Sequence, residues 1–135
     1  MVAAVAAALV PSLGRPDDPG GFFASGAAAL GTADRMAGLI GALPDPDSRR
    51  RLLLLLSALD SRGVNLLLSG RPVRMGDLEP AAAEDLLRGW AFSGIAQRRM
   101  AFQALKRLSQ LAYYCWPPAG RPHPAWVATG YSGPL

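Results

Sequence analysis

Five consecutive leucines, Leu52 to Leu56, follow three arginines and run into Ser57-Ala58-Leu59-Asp60. A helix carrying such a run has no clean polar face, so the pattern predicts a helix surrounded by others at the centre of a bundle. The composition agrees. Half of the 135 residues are apolar, mostly Ala and Leu with few Val, Ile and Thr between turn signals, which favours helix over sheet. A chain of this length fits one domain and buries roughly two-thirds of the surface it exposes when unfolded. We therefore expect an all-α fold: a small bundle of about five helices over residues 1–116, with an irregular Pro/Gly/aromatic tail over 117–135 belonging to the same domain.

Capping and stop signals divide the chain. Residues 2–10 form a short helix ended by Pro11, and 12–26 read as a loop anchored by Phe22 and Phe23. Thr32 is the expected N-cap of a helix whose Met36, Leu39, Ile40 and Leu43 share one face, closed by Pro44. Asp47 is placed to cap the leucine-rich helix, which breaks or kinks at Ser61 to Gly63 before a second segment ends at Gly70-Arg71-Pro72. Pro80 suits the first turn of the next helix, with Leu86, Leu87 and Trp90 as its buried stripe. Ser93 is the expected cap of the longest helix. There Ile95, Phe102, Leu105, Leu108 and Leu111 or Ala112 should face inward, and Arg98, Arg99, Lys106 and Arg107 outward. Beyond it, Pro117, Pro118, Pro122 and Pro124 argue against helix and central strand alike.

Several function classes are disfavoured. A single cysteine, Cys115, excludes an intrachain disulfide and a structural zinc site of about four Cys or His ligands. The apolar N-terminus has no basic leader and breaks at Pro11, so no secretion signal is expected, and no run reaches the ~18 apolar residues of a membrane span. The net charge of +4 comes from thirteen arginines and one lysine spread along the chain. With acidic residues interspersed and no helix-turn-helix pattern, the basic stripe reads as a solvated face rather than a nucleic-acid interface. The one histidine, His123, sits between two prolines with no Ser, Cys or carboxylate beside it, and reads as a surface residue without a catalytic role. Cys115 reads as a small buried hydrophobe. The glycines around Phe22 lack the Lys-Ser/Thr ending of a phosphate loop. No catalytic, cofactor-binding or metal-ligating set emerges.

The aromatic set is the candidate site. Tyr113, Tyr114, Trp116, Trp126 and Tyr131, together with Arg98 and Arg99, combine the residue types enriched at interface cores, so a partner interface is expected there. Folding of the tail back onto its own bundle is the other reading, and both can hold at once.

The order of segments carries a resemblance. LLLSGRP at 66–72, LLRGW at 86–90, FQALKRL at 102–108, AYY at 112–114 and GYSGP at 130–134 follow one another as in the gluconate 2-dehydrogenase subunit 3 type. This chain resembles that small subunit of certain flavin dehydrogenases, and the N-terminal helical domain of long-chain alcohol oxidases, over roughly residues 34 to 135. The resemblance implies a non-catalytic accessory subunit in a hetero-oligomer. Its partner would be a large catalytic subunit of the glucose-methanol-choline type that holds the FAD and oxidises an alcohol or sugar. The small chain would stabilise that subunit and shape substrate access. It departs from exported relatives in lacking a twin-arginine leader, which implies a cytoplasmic complex or export with a partner that carries the signal. No G-x-G-x-x-G follows a strand here, so no dinucleotide fold is expected. The alternative from the residues alone is a free-standing helical protein binding a lipophilic small molecule between the leucine helices and the tail.

Overall fold

The computed structural model describes residues 1–18, 21–117 and 120–133, with the Leu68 side chain not described. Pro118 of the tail, and Pro134 and Leu135 of the terminal motif, lie outside the described residues. Seven α-helices and no strand are present among the described residues: α1 (Val2–Leu9), α2 (Thr32–Gly41), α3 (Pro46–Leu59), α4 (Arg62–Ser69), α5 (Pro80–Ala91), α6 (Ala96–Tyr114) and α7 (Pro124–Thr129), with a 3-10 turn at Met75–Asp77. The all-α fold is as expected.

The centre is not the leucine helix. Short α1 packs against α2, α5 and α6, while α6 also packs against α2 and α5. Val5, Ala6 and Ala8 of α1 are buried, and their small side chains let three neighbours approach one short helix. From the five-leucine run and its continuation, only Leu56 and Leu59 are fully buried, whereas Leu53 and Leu54 remain 49% and 60% exposed. The α3 helix touches α2 and α4 and lies at the edge. Its N-terminal half carries Asp47, Arg49, Arg50 and Arg51, all exposed, and burying that cationic run would require partners the fold does not offer. The remaining core is Ala27 from the loop before α2, Met36 and Ile40 from α2, Met75 from the 3-10 turn, Ala83, Leu86, Leu87 and Trp90 from α5, and Leu105 and Ala112 from α6.

Helix boundaries shift from the expected residues for local reasons. Asp45, not Asp47, caps α3, accepting the amides of Asp47 and Ser48 at 3.2 and 3.0 Å. Pro46 at the first position starts that helix early because its fixed φ suits it and no N–H is lost. The hydrogen bonds from Ser48 and Asp47 hold the Asp45 carboxyl below its ordinary pKa. Gly31 occupies the cap position of α2, and Thr32 is its buried first residue. Ile95, not Ser93, precedes α6, although the Ser93 hydroxyl accepts the Ile95 amide. Ile95 and Leu111 are each 47% exposed, off a stripe that runs through Leu105, Ser109, Ala112 and Tyr113.

The predicted break does occur, and Asn65 holds it together. Asp60 ends α3 and Ser61 caps α4 through the Val64 amide. The wholly buried Asn65 donates from Nδ2 to the carbonyls of Leu59 at 2.7 Å and Val73 at 2.8 Å. Asp60 Oδ1 accepts the Gly76 amide at 3.1 Å. The segment after Gly70 is thereby fastened to the α3–α4 junction, and Met75 is carried into the core.

Candidate functional site

The C-terminal end of α6 is where the chain gathers its aromatic side chains. Arg35 of α2 donates to the carbonyls of Trp116 at 2.9 Å and Pro117 at 3.4 Å, fixing the direction in which the chain leaves α6. The chain then returns, and Pro122-His123-Pro124 opens α7. The expectation of an irregular tail is corrected here. Proline is excluded from helix interiors but suits the first position, and Pro124 takes it. His123 is the cap, its Nδ1 accepting the Ala125 amide at 3.0 Å.

The tail docks through a ladder of rings. Tyr113 meets Tyr114 edge-on at 4.7 Å between centroids and His123 edge-on at 4.9 Å. His123 lies 5.9 Å from Trp126, which in turn meets Tyr131 edge-on at 5.6 Å. Such offset and edge arrangements are the favoured ones for π systems. Trp126 Nε1 donates to the Tyr114 carbonyl at 3.1 Å. Gly133, at φ +98°, lies so close to the Trp126 ring that an added Cβ would sit 3.2 Å from Cζ3.

Two of the ladder's titratable groups are buried. The Tyr113 phenol donates to the Ser25 carbonyl at 2.5 Å, tying the ladder to the loop after α1. Burial, then the neighbouring Tyr114 and Asp18, push it up to about 12, so it stays protonated. His123 is also wholly buried, against the surface position expected from its flanking prolines. Burial lowers its pKa, and the Arg35 guanidinium lowers it further, while the Tyr113 carbonyl partly offsets both. Nε2 has no hydrogen-bond partner among the described residues. Because Nδ1 is an acceptor, the neutral ring carries its proton on Nε2.

The expected interface residues thus separate into groups. Tyr113 is core, and Trp126 is half-buried and joins the tail to α6. Tyr114, Trp116 and Tyr131 keep 41%, 41% and 53% of their surface exposed. Arg98 and Arg99 are not part of this cluster. They sit in the first turn of α6, and sixteen residues at 1.5 Å rise place Arg98 about 24 Å from Tyr114 along the helix. Cys115, expected to be buried, is exposed, because α6 ends at Tyr114 and the next residue leaves the buried stripe.

Sequence reasoning missed the surface beside the arginines. Phe92 in the α5–α6 hinge is 84% exposed, and Ile95 and Met100 are 47% and 63% exposed. A nearly all-apolar hollow of about 340 Å³ lies between Leu55, Trp90, Ile95, Arg98 and Ala101. Phe92 also borders open clefts of about 540 and 460 Å³, and the aromatic tail lines neither. The available signal was an apolar pair, Phe92 and Ile95, flanking Ser93-Gly94 in a hinge that water should reach.

The one imidazole is sealed from solvent, and the one thiol is on the surface. Among the described residues no three His, Cys, Asp or Glu side chains converge as metal ligands, and no helix is long and apolar enough to cross a membrane. No family model, no curated protein and no solved structure matches this chain.

Proposed function

We propose that this chain is the non-catalytic small subunit of an FAD-dependent alcohol or sugar dehydrogenase or oxidase of the glucose-methanol-choline type. It packs against the large subunit that holds the flavin, stabilises it and shapes access to its substrate. The observation that carries the reading is the apolar surface left after folding. Tyr114, Trp116, Val127 and Tyr131 lie at one end of α6, and Phe92, Ile95 and Met100 at the other, all more than 40% exposed. Isolated surface hydrophobes are ordinary, but groups of large ones at two ends of a small domain mark interaction surfaces. A partner spanning α6 between them would bury an area in the obligate range, ~2,000 Å² or more. The flavoprotein identity of that partner rests on the segment order from LLLSGRP to GYSGP.

The test is isolation of the chain from its native cells at moderate salt, with an absorbance scan of what accompanies it. A partner several times larger than 14.2 kDa, carrying flavin absorbance, is the expected result. A colourless lone protein overturns the reading. That outcome would favour a free-standing binder of a lipophilic small molecule, for which the 460 Å³ cleft among Leu9, Leu87, Ala91, Phe92 and Phe102 offers a mainly apolar site. A hydrophobic compound retained through purification would then be expected.

A further inference from the structure

We propose that His123 is a protonation-controlled clasp: neutral, it holds α7 and the aromatic tail on the end of α6, and protonated, it lets them go. Three features of the contact disfavour the cationic ring in the docked tail. Nδ1 accepts the Ala125 amide at 3.0 Å, and a protonated Nδ1 is a donor that cannot accept it. The ring is wholly buried, so a charge there has no water to solvate it. The charged group acting on it from α2 is Arg35, already committed to the Trp116 and Pro117 carbonyls, which adds like-charge repulsion. From α6 it faces the Tyr113 and Tyr114 rings and the Tyr113 carbonyl, which opposes the effect of burial without reversing it, and from its own helix Trp126. Asp18 bears on the Tyr113 phenol rather than on the imidazole.

Release need not open the bundle. Among the described residues the cluster that joins α1, α2, α5 and α6 extends no further along the chain than Ala112, and beyond it Tyr113, His123 and Ala125 are buried at the tail contact. The tail is held on α6 by the ring contacts of His123 and by the Trp126 hydrogen bond, while Arg35 fixes the chain where it leaves α6 and the His123 cap orders α7 itself. The sign follows from the lowered imidazole pKa. Above the unfolded value near 6.5 both states are neutral and His123 adds no pH dependence. Below it, the released tail takes a proton that the docked tail refuses, so docking weakens as pH falls toward the docked pKa. Release would free Trp126 and uncover Tyr113. The switch stands on contacts within this chain, and only its effect on partner docking rests on the proposed function.

The chain has one histidine and three tryptophans, so NMR of the full chain resolves each event without a partner. A tryptophan-free soluble fusion can carry it if needed. Between pH 8 and 5 the Trp126 indole N–H signal should move from its hydrogen-bonded position to that of a free indole. Its midpoint should match the His123 titration and lie below 6.5, the ordinary imidazole value, while the buried Trp90 signal stays unchanged. The proposal is overturned if His123 titrates with the Trp126 signal unmoved, or if that signal is constant across the range. It is equally overturned if all three indole signals change together, as in global unfolding. His123→Asn keeps a cap acceptor that does not protonate. Its Trp126 signal should be independent of pH, and a transition persisting at the wild-type midpoint also overturns the clasp.

Discussion

Asn65 offers the sharpest test of how this chain holds its shape. Its side-chain amide is fully buried and donates to two backbone carbonyls, Leu59 at 2.7 Å and Val73 at 2.8 Å, which nothing else on the side chain can replace. Asn65→Ala removes both bonds and leaves the carbonyls to find other partners. At about 1 kcal/mol net per bond, plus part of the 1–3 kcal/mol penalty for an unsatisfied buried group, the expected cost is about 3 kcal/mol. That is a large share of the 5–15 kcal/mol typical of a whole domain. With an unfolding entropy of ~2.1 cal/mol/K per residue, the chain totals about 280 cal/mol/K, and Tm should fall by about 10 °C. Asn65→Asp is nearly isosteric but turns a charged oxygen toward the carbonyls, so it should cost at least as much at neutral pH. Thermal unfolding followed by circular dichroism, with urea titration to check that m is unchanged, measures both. A fall of less than about 2 °C in the Ala variant would refute the view that this amide joins the α3–α4 junction to the 71–77 segment.

Three further predictions concern the surface and the tail. Phe92→Ser should change stability by less than about 0.5 kcal/mol because the side chain is 84% exposed, yet weaken binding to the proposed flavoprotein partner by about 2 kcal/mol, or ~30-fold. Equal affinity for the Phe92→Ser and Trp116→Ala variants and the wild type, by calorimetric titration, would count against both apolar ends. The Tyr113 phenol, at about 12 in the folded chain and near 10 when unfolded, gives an alkaline dependence of definite sign. Its contribution is intact below pH 10 and is lost as pH rises toward 12, when the unfolded chain gives up a proton that the folded one keeps, to about 3 kcal/mol. Tyr113→Phe should cost about 1 kcal/mol through the lost Ser25 bond and flatten that limb in urea titrations across the range. Gly133→Ala forces a side chain into a conformation at φ +98° and against the Trp126 ring. It should loosen the tail by about 1–2 kcal/mol, read as faster exchange of the Trp126 indole proton with no change at Trp90.

The sequence by itself determined the helices and many of their ends. Pro11, Pro44, Gly70, Pro80 and the break near Ser61 mark boundaries found in the structure, because proline and glycine act through the local backbone alone. The buried stripe of Leu86, Leu87 and Trp90 was legible for the same reason, since period and burial coincide on an ordinary amphipathic helix. Tertiary structure alone decided which helix is central. Five leucines in a row say that a helix is apolar, but neighbour size and the cost of burying three arginines put Ala-rich α1 in the middle and α3 at the edge. It also decided His123. Flanking prolines suggested solvent, but Pro124 served as a helix start, and the return of the chain placed the imidazole among Tyr113, Tyr114 and Trp126. Burial of that kind depends on contacts between residues far apart in sequence, which local propensity does not encode. The separation of Arg98 and Arg99 from the aromatic set, by contrast, follows from helix length alone. The arginines open α6 and Tyr113 and Tyr114 end it, whereas the exposure of Phe92 and Ile95 beside the arginines was decided by the packing of the bundle.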